Sequence, residues 1–251
     1  MAEQSSSNRG AEDVPKVDVA ERAGHHTGNP QVLETRLFMQ LLVFDCAPGL
    51  DPQRTIDRLA DALAAQRAPA VLYEDVNAPR GLGVLTWSED PGHFVERVRP
   101  ALLAADEGLV QRPDLTMLGR TYATGYEPDL RFWLLQRPVD TARNERWPWA
   151  VWYPLRRSGA FARLEPKEQA AILREHGAIG RSYGEQDLAH DIRLACHGLD
   201  ARDNEFVIGL IGKELHPLSH VVQSMRKTRQ TAEFIAQMGP FFVGHAARRV
   251  G

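Results

Sequence analysis

One order of predicted secondary structure occurs twice in this chain, and it limits the possible folds more than any other feature of the sequence. In the first copy, four segments are rich in the aliphatic, aromatic and β-branched residues typical of strands: 35–45, 70–76, 83–87 and 115–122. One predicted helix begins at Asp51-Pro52 and a second begins at Asp90-Pro91. The order is therefore strand, helix, strand, strand, helix, strand.

The second half of the chain repeats this order. Its predicted helices and strands are 149–154, 165–183, 188–197, 205–211, 216–236 and 239–244. A split βαβ unit that is used twice predicts the α+β class, with duplicated ferredoxin-like βαββαβ repeats. Two such sheets that face each other are expected to form a dimeric α+β barrel, closed and with the helices outside.

Changes in composition give the boundaries of the repeats. We predict a first repeat over 35–126, a linker with prolines and arginines over 127–147, and a second repeat over 148–251. Residues 1–34 mix Ser, Gly, Asn and charges with few large apolar side chains, which predicts a disordered tail. His25 and His26 are adjacent histidines in this polar tail, so we expect them to be solvated and not to bind a metal.

Composition and charge argue against several classes of protein. A formal net charge of -3 and a pI near 6.3 give no overall attraction to nucleic acid or anionic membranes. No apolar run reaches the length of a membrane span, and the N-terminus lacks the basic and then apolar order of a signal peptide. Cys46 and Cys196 lie in apolar runs without a CxxC motif, which indicates reduced structural thiols. We therefore expect a cytoplasmic protein.

His176 is the residue that points most directly to chemistry. The residues that recur with it at helical spacing are Ile172, Leu173, Ile179, Gly180 and Tyr183. Its imidazole should therefore face inward with this apolar set. Gly177 and Gly180 each cost a helix about 1 kcal/mol relative to alanine. Either a flat ligand such as an iron porphyrin lies against this helix, or the glycines allow close helix-to-sheet packing and His176 is a hydrogen-bonded core residue.

Several motifs resemble those of the chlorite dismutase family in order and spacing. They are Tyr153-Pro154, Glu175-His-Gly-Ala-Ile-Gly-Arg-Ser-Tyr183, Gly198-Leu-Asp200, Met225-Arg226 and Gly239-Pro-Phe-Phe-Val-Gly244. The similarity is strong over about 150–245 and looser in the first repeat, where Leu118-Gly-Arg-Thr-Tyr122 is the best landmark. The resemblance implies a duplicated ferredoxin-like barrel that assembles as a homopentamer, with haem in the C-terminal repeat.

The resemblance also implies which residue binds iron. The proximal ligand of the family is the histidine of an EHG motif, so His176 takes that role as a neutral imidazole. An anionic acceptor on the other ring nitrogen would make it a stronger donor, but the sequence identifies none, because Glu175 should point away. The implied cofactor is haem b or iron-coproporphyrin III (coproheme).

Within the family, the face of the porphyrin opposite this ligand decides the reaction, and chlorite dismutases place an arginine there. Counting forward from His176 gives Ala189, and counting back from the Gly-Leu-Asp motif gives Asp191. Neither is arginine, and Arg193 would need a further shift, which argues against chlorite as the substrate. His190 and Asp191 are candidates for moving the peroxide proton, or they lie in solvent at the start of a strand.

Tyr153 favours a different reaction. In the coproheme decarboxylases of this family, the tyrosine of the YP motif is implied as the redox residue. An oxidised phenol can take hydrogen from a propionate, after which carbon dioxide leaves and a vinyl group remains. Two rounds would convert coproheme into haem b. Alternatively, Tyr153 is a strand residue that anchors its hydroxyl at the rim of the barrel.

Propionates need cations or hydroxyls, and guanidinium groups suit carboxylates well. The candidates for cofactor binding are Arg137, Arg156, Arg157, Arg226 and Thr231. Arg157 stands where the family often has a lysine, and Thr231 where it often has a serine. Charged runs are usually solvated, so we expect one or two of these side chains to reach the ligand. The family's basic and aromatic insert after the YP motif is replaced here, which leaves propionate recognition open.

The resemblance therefore implies a haem-binding oxidoreductase that uses hydrogen peroxide to convert iron-coproporphyrin III into haem b. Two alternatives stay open: another haem-dependent oxidative enzyme, such as a peroxidase or a chlorite-degrading enzyme, and a non-catalytic haem-binding protein. The expected partners are a porphyrin, peroxide and further copies of this chain, with no nucleic acid.

Overall fold

A computed structural model of the 251-residue chain describes residues 16–24, 28–105 and 108–251. His25 and His26, which we predicted to be solvated, lie outside the described residues. Among the described helices, none is both long enough and apolar enough to cross a bilayer.

Part of the segment predicted as a disordered tail is instead held against the first repeat. Strands β1 (Glu21–Ala23) and β2 (Gln31–Leu33) pair antiparallel. The Glu21 carboxylate accepts hydrogen bonds from Arg36 Nε at 2.9 Å, from Arg120 Nη1 at 3.3 Å and from the Ala123 backbone N–H at 2.9 Å. The low apolar content was misleading because ion pairs and backbone hydrogen bonds hold this segment.

The first repeat contains the predicted elements in the predicted order. Its strands and helices are β3 (Phe38–Cys46), α1 (Pro52–Ala65), β4 (Ala70–Asp75), β5 (Gly81–Ser88), α2 (Arg99–Ala105), β6 (Leu109–Gln111) and β7 (Met117–Arg120). A π-helical turn, Phe94–Val98, leads directly into α2. The Asp51 carboxylate caps α1 by accepting hydrogen bonds from the backbone N–H groups of Gln53 and Arg54.

The segment 127–147, predicted as a linker, contains helix. A π-helical turn, Phe132–Gln136, continues into α3 (Arg137–Arg143). Leu134, Leu135 and Ala142 are buried in the interior cluster that the strands of both repeats share. This segment therefore packs onto the barrel and does more than connect its halves.

The second repeat also follows the predicted order, with one difference near its end. Its elements are β8 (Trp149–Arg157), α4 (Gly159–Ala162), α5 (Pro166–Glu185), β9 (His190–Ala195), β10 (Phe206–Gly212), α6 (Leu215–Met225), α7 (Arg229–Phe234), β11 (Ile235–Met238) and β12 (Phe242–Val250). The helix predicted over 216–236 is divided, because Thr228 caps a new helix and its hydroxyl accepts a hydrogen bond from the Thr231 N–H. The residues after Phe234 form a strand.

The strand pairings close a ring. Within the described residues, the order is β10-β9-β7-β3-β5-β4-β12-β8, and β8 pairs with β10 again. The repeats are joined on one side by β4 and β12, which pair from Ala70 with Val250 to Asp75 with Gly244. On the other side, β7 and β9 are joined through the single described pair Arg120 with Ala195.

Large aromatic side chains from both repeats fill the interior of this ring. Trp152 and Phe242 are each 1% exposed, and they fit because glycines face them. A Cβ atom at Gly209 would lie 2.6 Å from the Trp152 ring, and one at Gly83 would lie 2.5 Å from the Phe242 ring. The outer faces of the strands are covered separately, by α1 and α2 in the first repeat and by α5 and α6 in the second.

Candidate functional site

Helix α5 lies over the outer face of the second repeat, but few of its residues are buried there. Of its residues, all of which the structure describes, only Ile172 is fully buried, although the helix spans 20 residues. His176, Ile179 and Tyr183 are half-buried, and Leu173, which we expected on the inward face, is 44% exposed. The inward face of α5 is therefore left partly accessible to solvent.

The two glycines of α5 separate the two explanations that the sequence left open. In the described part of the chain, the nearest atom to a Cβ built at Gly180 is Met225 Cε, at 3.5 Å. At Gly177 it is Nη1 of Arg181 on the same helix, at 3.6 Å. No strand atom of the described residues approaches either position, so close helix-to-sheet packing does not explain these glycines. The room beside them is compatible with a flat ligand.

The surroundings of His176 favour the neutral form of its imidazole. Burial lowers the pKa of His176 below its usual value, and the charge of Arg193 lowers this pKa further, against the opposite effects of Glu175 and Asp191. Its Nδ1 lies 3.4 Å from Thr228 Oγ1. The Thr228 hydroxyl donates to the Met225 carbonyl at 2.7 Å, so its oxygen can accept the Nδ1 proton of His176. That tautomer leaves Nε2 with a free lone pair.

Among the residues that the structure describes, no carboxylate takes the position beside His176 that would strengthen it as a donor. The Glu175 carboxylate accepts a hydrogen bond from the Arg229 backbone N–H at 3.2 Å, so it points away from the site, as expected. The neutral hydroxyl of Thr228 is the partner instead. The sequence pointed to Thr231 in this segment and missed Thr228, because the break between α6 and α7 was not evident.

Three side chains form a row across the outer face of the sheet, on the side where α5 lies. Tyr153 on β8 pairs with Ile208 on β10, and Ile208 pairs with Arg193 on β9. The ring of Tyr153 stacks on Phe241 with centroids 4.7 Å apart, and Tyr153 is 6% exposed. Burial and the charge of Asp191 raise the pKa of Tyr153 above its usual value, although Arg226 lowers it. The phenol is therefore protonated throughout the physiological pH range.

Asp191 and Arg193 both lie on this outer face, two residues apart on β9. Arg193 Nε is 2.9 Å from Asp191 Oδ2. Arg137 from α3 donates to Asp191 Oδ1 and to the Asp191 carbonyl, both at 2.8 Å. Burial raises the pKa of Asp191, but the charges of Arg193 and Arg137 outweigh it, so this pKa lies below the usual value. Asp191 is therefore ionised at neutral pH.

His190 lies on the opposite side of β9 from Asp191, because successive side chains of a strand alternate. Its ring stacks on Trp147 with centroids 3.7 Å apart, and its Nε2 lies 2.9 Å from Asp187 Oδ1. Trp147 packs against the barrel interior. The structure therefore does not bring His190 and Asp191 together, and Ala189 is a buried residue of the layer under α6.

The cations proposed for propionates differ in what they contact. Arg157 binds Glu205, with Nε 3.2 Å from Oε2, and its guanidinium lies over the rings of Phe161 and Phe206. Arg156 Nη1 lies 3.5 Å from Asp203 Oδ2.

Arg137 is taken by Asp191, and the cavity between Arg137 and Arg193 is about 20 Å³, which suits a water molecule and not a propionate. Arg226 is exposed, 3.9 Å from Met238 Sδ, and its charge reaches Tyr153. Thr231 lies in the first turn of α7, with its hydroxyl oxygen 3.3 Å from that of Thr228. Arg226 is thus the proposed cation best placed for a ligand beside Tyr153.

The residues present fit an iron porphyrin. Half-buried apolar side chains line the space between α5 and the sheet: Phe206, Ile208, Met225, Met238, Phe241 and Val243. A neutral imidazole on one side provides an iron ligand, and a phenol and a guanidinium lie on the sheet side. This combination suits a flat apolar ring with a metal at its centre and carboxylates at its edge.

Comparison with known proteins agrees with this geometry. The family model described as chlorite dismutase matches residues 97–247. Two relatives, both named coproheme decarboxylase and from two strains of Thermus thermophilus, are each 27% identical over 157 residues. Each match covers 57% of this chain and 60% of the relative, so the alignment spans less than two thirds of the relatives' length.

Solved structures show the same fold. A structure described as a novel heme-binding protein from Thermus thermophilus is 17% identical, with a TM-score of 0.67 and coverage of 86% of this chain and 92% of the other. A mutant chlorite dismutase from Candidatus Nitrospira defluvii is 14% identical, with a TM-score of 0.66 and coverage of 86% and 93%. At these identities the similarity establishes the fold alone.

Proposed function

Since this chain belongs to the chlorite dismutase family, we propose that it is a coproheme decarboxylase, which converts iron-coproporphyrin III into haem b with hydrogen peroxide. The observation that carries this proposal is the unsealed face of α5, where His176 and two glycines face an apolar sheet surface that holds Tyr153. The relatives named coproheme decarboxylase support it.

The overall change sets what the site must do. Each propionic acid side chain loses two electrons, two protons and carbon dioxide to become a vinyl group, while one hydrogen peroxide takes up these electrons and protons and is reduced to two waters. The bound iron porphyrin supplies the activation of peroxide. The protein has to hold the porphyrin, bring a hydrogen acceptor to the propionate and exclude competing reductants.

Individual residues then take specific roles. His176 binds iron through Nε2, because Thr228 accepts the proton on Nδ1. With peroxide as the oxidant at the bound iron, Tyr153 would give up its phenolic hydrogen to that oxidant and regain one from the propionate carbon next to the ring. The second electron would pass to the same oxidant as carbon dioxide leaves. Arg226 holds a propionate carboxylate near Tyr153, where its charge already acts on the phenol.

Titration with ferric coproheme, followed by peroxide and mass spectrometry, tests this function. We expect a shift of the Soret band on binding and loss of two carboxyl groups on turnover. His176→Ala should abolish iron coordination, whereas His216→Ala, which removes an exposed imidazole from α6, should not. Tyr153→Phe should bind coproheme and fail to decarboxylate it, whereas Tyr126→Phe, at a residue 67% exposed, should turn over normally. Binding without decarboxylation by the wild-type protein would contradict the proposal and favour a non-catalytic haem-binding protein.

One observation favours chlorite degradation as a second candidate function. The sequence count found no arginine opposite His176, yet Arg193 lies on the same outer face as Tyr153, and its charge acts on His176. A guanidinium there can stabilise the anionic leaving group as chlorite breaks down to chloride and dioxygen. Dioxygen release from chlorite, measured with an oxygen electrode and lost in Arg193→Gln, would support this function over decarboxylation.

A further inference from the structure

Asp191 contacts two arginines, Arg137 and Arg193, and Arg137 makes more contacts with it than Arg193 does. Arg137 makes two contacts with this residue, one to the carboxylate and one to the backbone carbonyl, and its guanidinium also lies 4.7 Å above the Trp133 ring. Arg193 meets the other carboxylate oxygen, through Nε. Arg137 therefore fixes Asp191 from α3, and Asp191 in turn contacts Arg193.

We propose that Asp191 is a positioning residue, which holds the Arg193 guanidinium on the face opposite His176 and is itself anchored by Arg137. The inference rests on the proposed function in one respect, that this face meets the bound porphyrin. It assigns Asp191 and Arg137 roles other than those predicted from the sequence, which were proton transfer and propionate binding.

The chemistry of the three groups favours positioning over proton transfer. A carboxylate that contacts two guanidinium groups is a poor proton acceptor, since protonation would break both contacts. Arginine carries five N–H donors, and Asp191 meets Nε, so the terminal nitrogens remain donors for an anion at the iron. The side chains of the three residues together carry one net positive charge. The arrangement therefore presents a fixed cation to small anionic ligands.

The first experiment uses the protein without porphyrin. The Nε–H signal of Arg193 in ¹⁵N NMR is assigned by its loss in Arg193→Gln, and its exchange with water is measured. We expect Asp191→Asn to speed this exchange roughly tenfold, because the carboxylate that pairs with the guanidinium and repels hydroxide is replaced by a neutral amide. Arg137→Gln should speed it less, because Asp191 remains. An unchanged Arg193 exchange rate in Asp191→Asn would overturn the inference, whether or not the protein binds porphyrin.

The second experiment measures fluoride binding to the ferric haem-loaded protein by absorbance. Replacing Asp191 by Asn removes a negative charge, which by itself strengthens fluoride binding in any background. If Asp191 acts through Arg193, Asp191→Asn must also weaken fluoride binding when Arg193 is present. We therefore expect the effects of Asp191→Asn in the wild-type and Arg193→Gln backgrounds to differ by about tenfold. Equal effects would show that Asp191 acts only through its charge.

A matched control variant tests whether both effects are specific to Asp191. Asp57 on α1 forms an ion pair with Arg248 on β12, away from α5. Asp57→Asn removes a paired carboxylate in the same way and should change neither readout. Failure of the proposed function gives a different pattern, because decarboxylation would then be absent from the wild-type protein while the Arg193 signal still responds to Asp191→Asn.

Discussion

Helices α1 and α5 occupy the same place in the two repeats, yet they pack differently. Helix α1 buries Thr55, Ile56, Leu59 and Leu63 against its sheet, each at most 1% exposed. Helix α5 is six residues longer and buries only Ile172, counted over two helices that are described throughout. The first repeat thus uses its helix to build a core, and the second leaves the equivalent layer open. One duplicated unit contributes stability, and the other, under the proposed function, contributes a binding site.

Truncation of one apolar residue in each helix should show this contrast most strongly. Leu59→Ala removes a fully buried side chain and should lower the free energy of unfolding by about 2–5 kcal/mol. Ile179→Ala removes a half-buried side chain of α5 and should cost about 1 kcal/mol or less in the protein without porphyrin. Urea denaturation of both variants measures the difference. Equal losses would mean that α5 seals its sheet as α1 does.

Hydrogen exchange should change in one helix and not in the other when porphyrin binds. Ligand at 100 times its dissociation constant stabilises the protein by about 2.7 kcal/mol, which slows exchange through global unfolding roughly 100-fold. Local opening of α5 should be suppressed in addition, because the ligand fills the space beside it. Mass spectrometry of peptic peptides from α1 and α5 measures this, at conditions where local opening dominates. Similar protection of both helices would contradict a site at α5.

The glycines of α5 provide a smaller effect of opposite sign. Gly180→Ala should stabilise the protein without porphyrin by about 1 kcal/mol, since alanine favours helix and the nearest atom, Met225 Cε, leaves room for a methyl group. Gly180→Leu should weaken porphyrin binding, because its side chain enters the space beside α5. Thermal unfolding and a Soret titration measure the two effects. Undiminished binding by Gly180→Leu would place the ligand elsewhere.

The smallest expected effect is a dependence of stability on pH. Burial lowers the pKa of His176 below 6.5, so the unfolded chain binds more protons than the folded one as pH falls below that value. His176 therefore costs no stability above about pH 7, and its contribution becomes unfavourable toward about pH 5. Comparing the free energy of unfolding of wild type and His176→Ala across this pH range isolates the contribution of His176. The wild-type protein should lose more stability on acidification, and His216→Ala should behave like wild type.

The sequence was sufficient for the features that depend on periodicity. The helical spacing of Ile56, Leu59 and Leu63 matched their burial, and the strand pattern around Tyr153 matched its buried place on β8. Motif order identified the family. These features are set by residues close together in the chain, which explains why they were predictable.

Features that depend on register or on contacts across the fold were not predictable. Arg193 was set aside in the sequence count, because counting from His176 requires the length of the turn between α5 and β9, which the sequence does not define. Leu173 was expected to face inward, and it is exposed because α5 stands away from the sheet. Arg137 lies in a segment taken as a linker, and its contact with Asp191 exists only because α3 packs onto the barrel.

The two junctions between the repeats differ in the number of paired residues, and this affects where the barrel can open. The pairing of β4 with β12 runs the length of β4, whereas the described contact between β7 and β9 is one residue pair wide. Partial opening costs least where the fewest hydrogen bonds must break. Arg137 bonds helix α3 to Asp191 on β9 beside this narrower junction, so we expect the loss of Arg137 to ease opening there and, through Asp191, to affect Arg193.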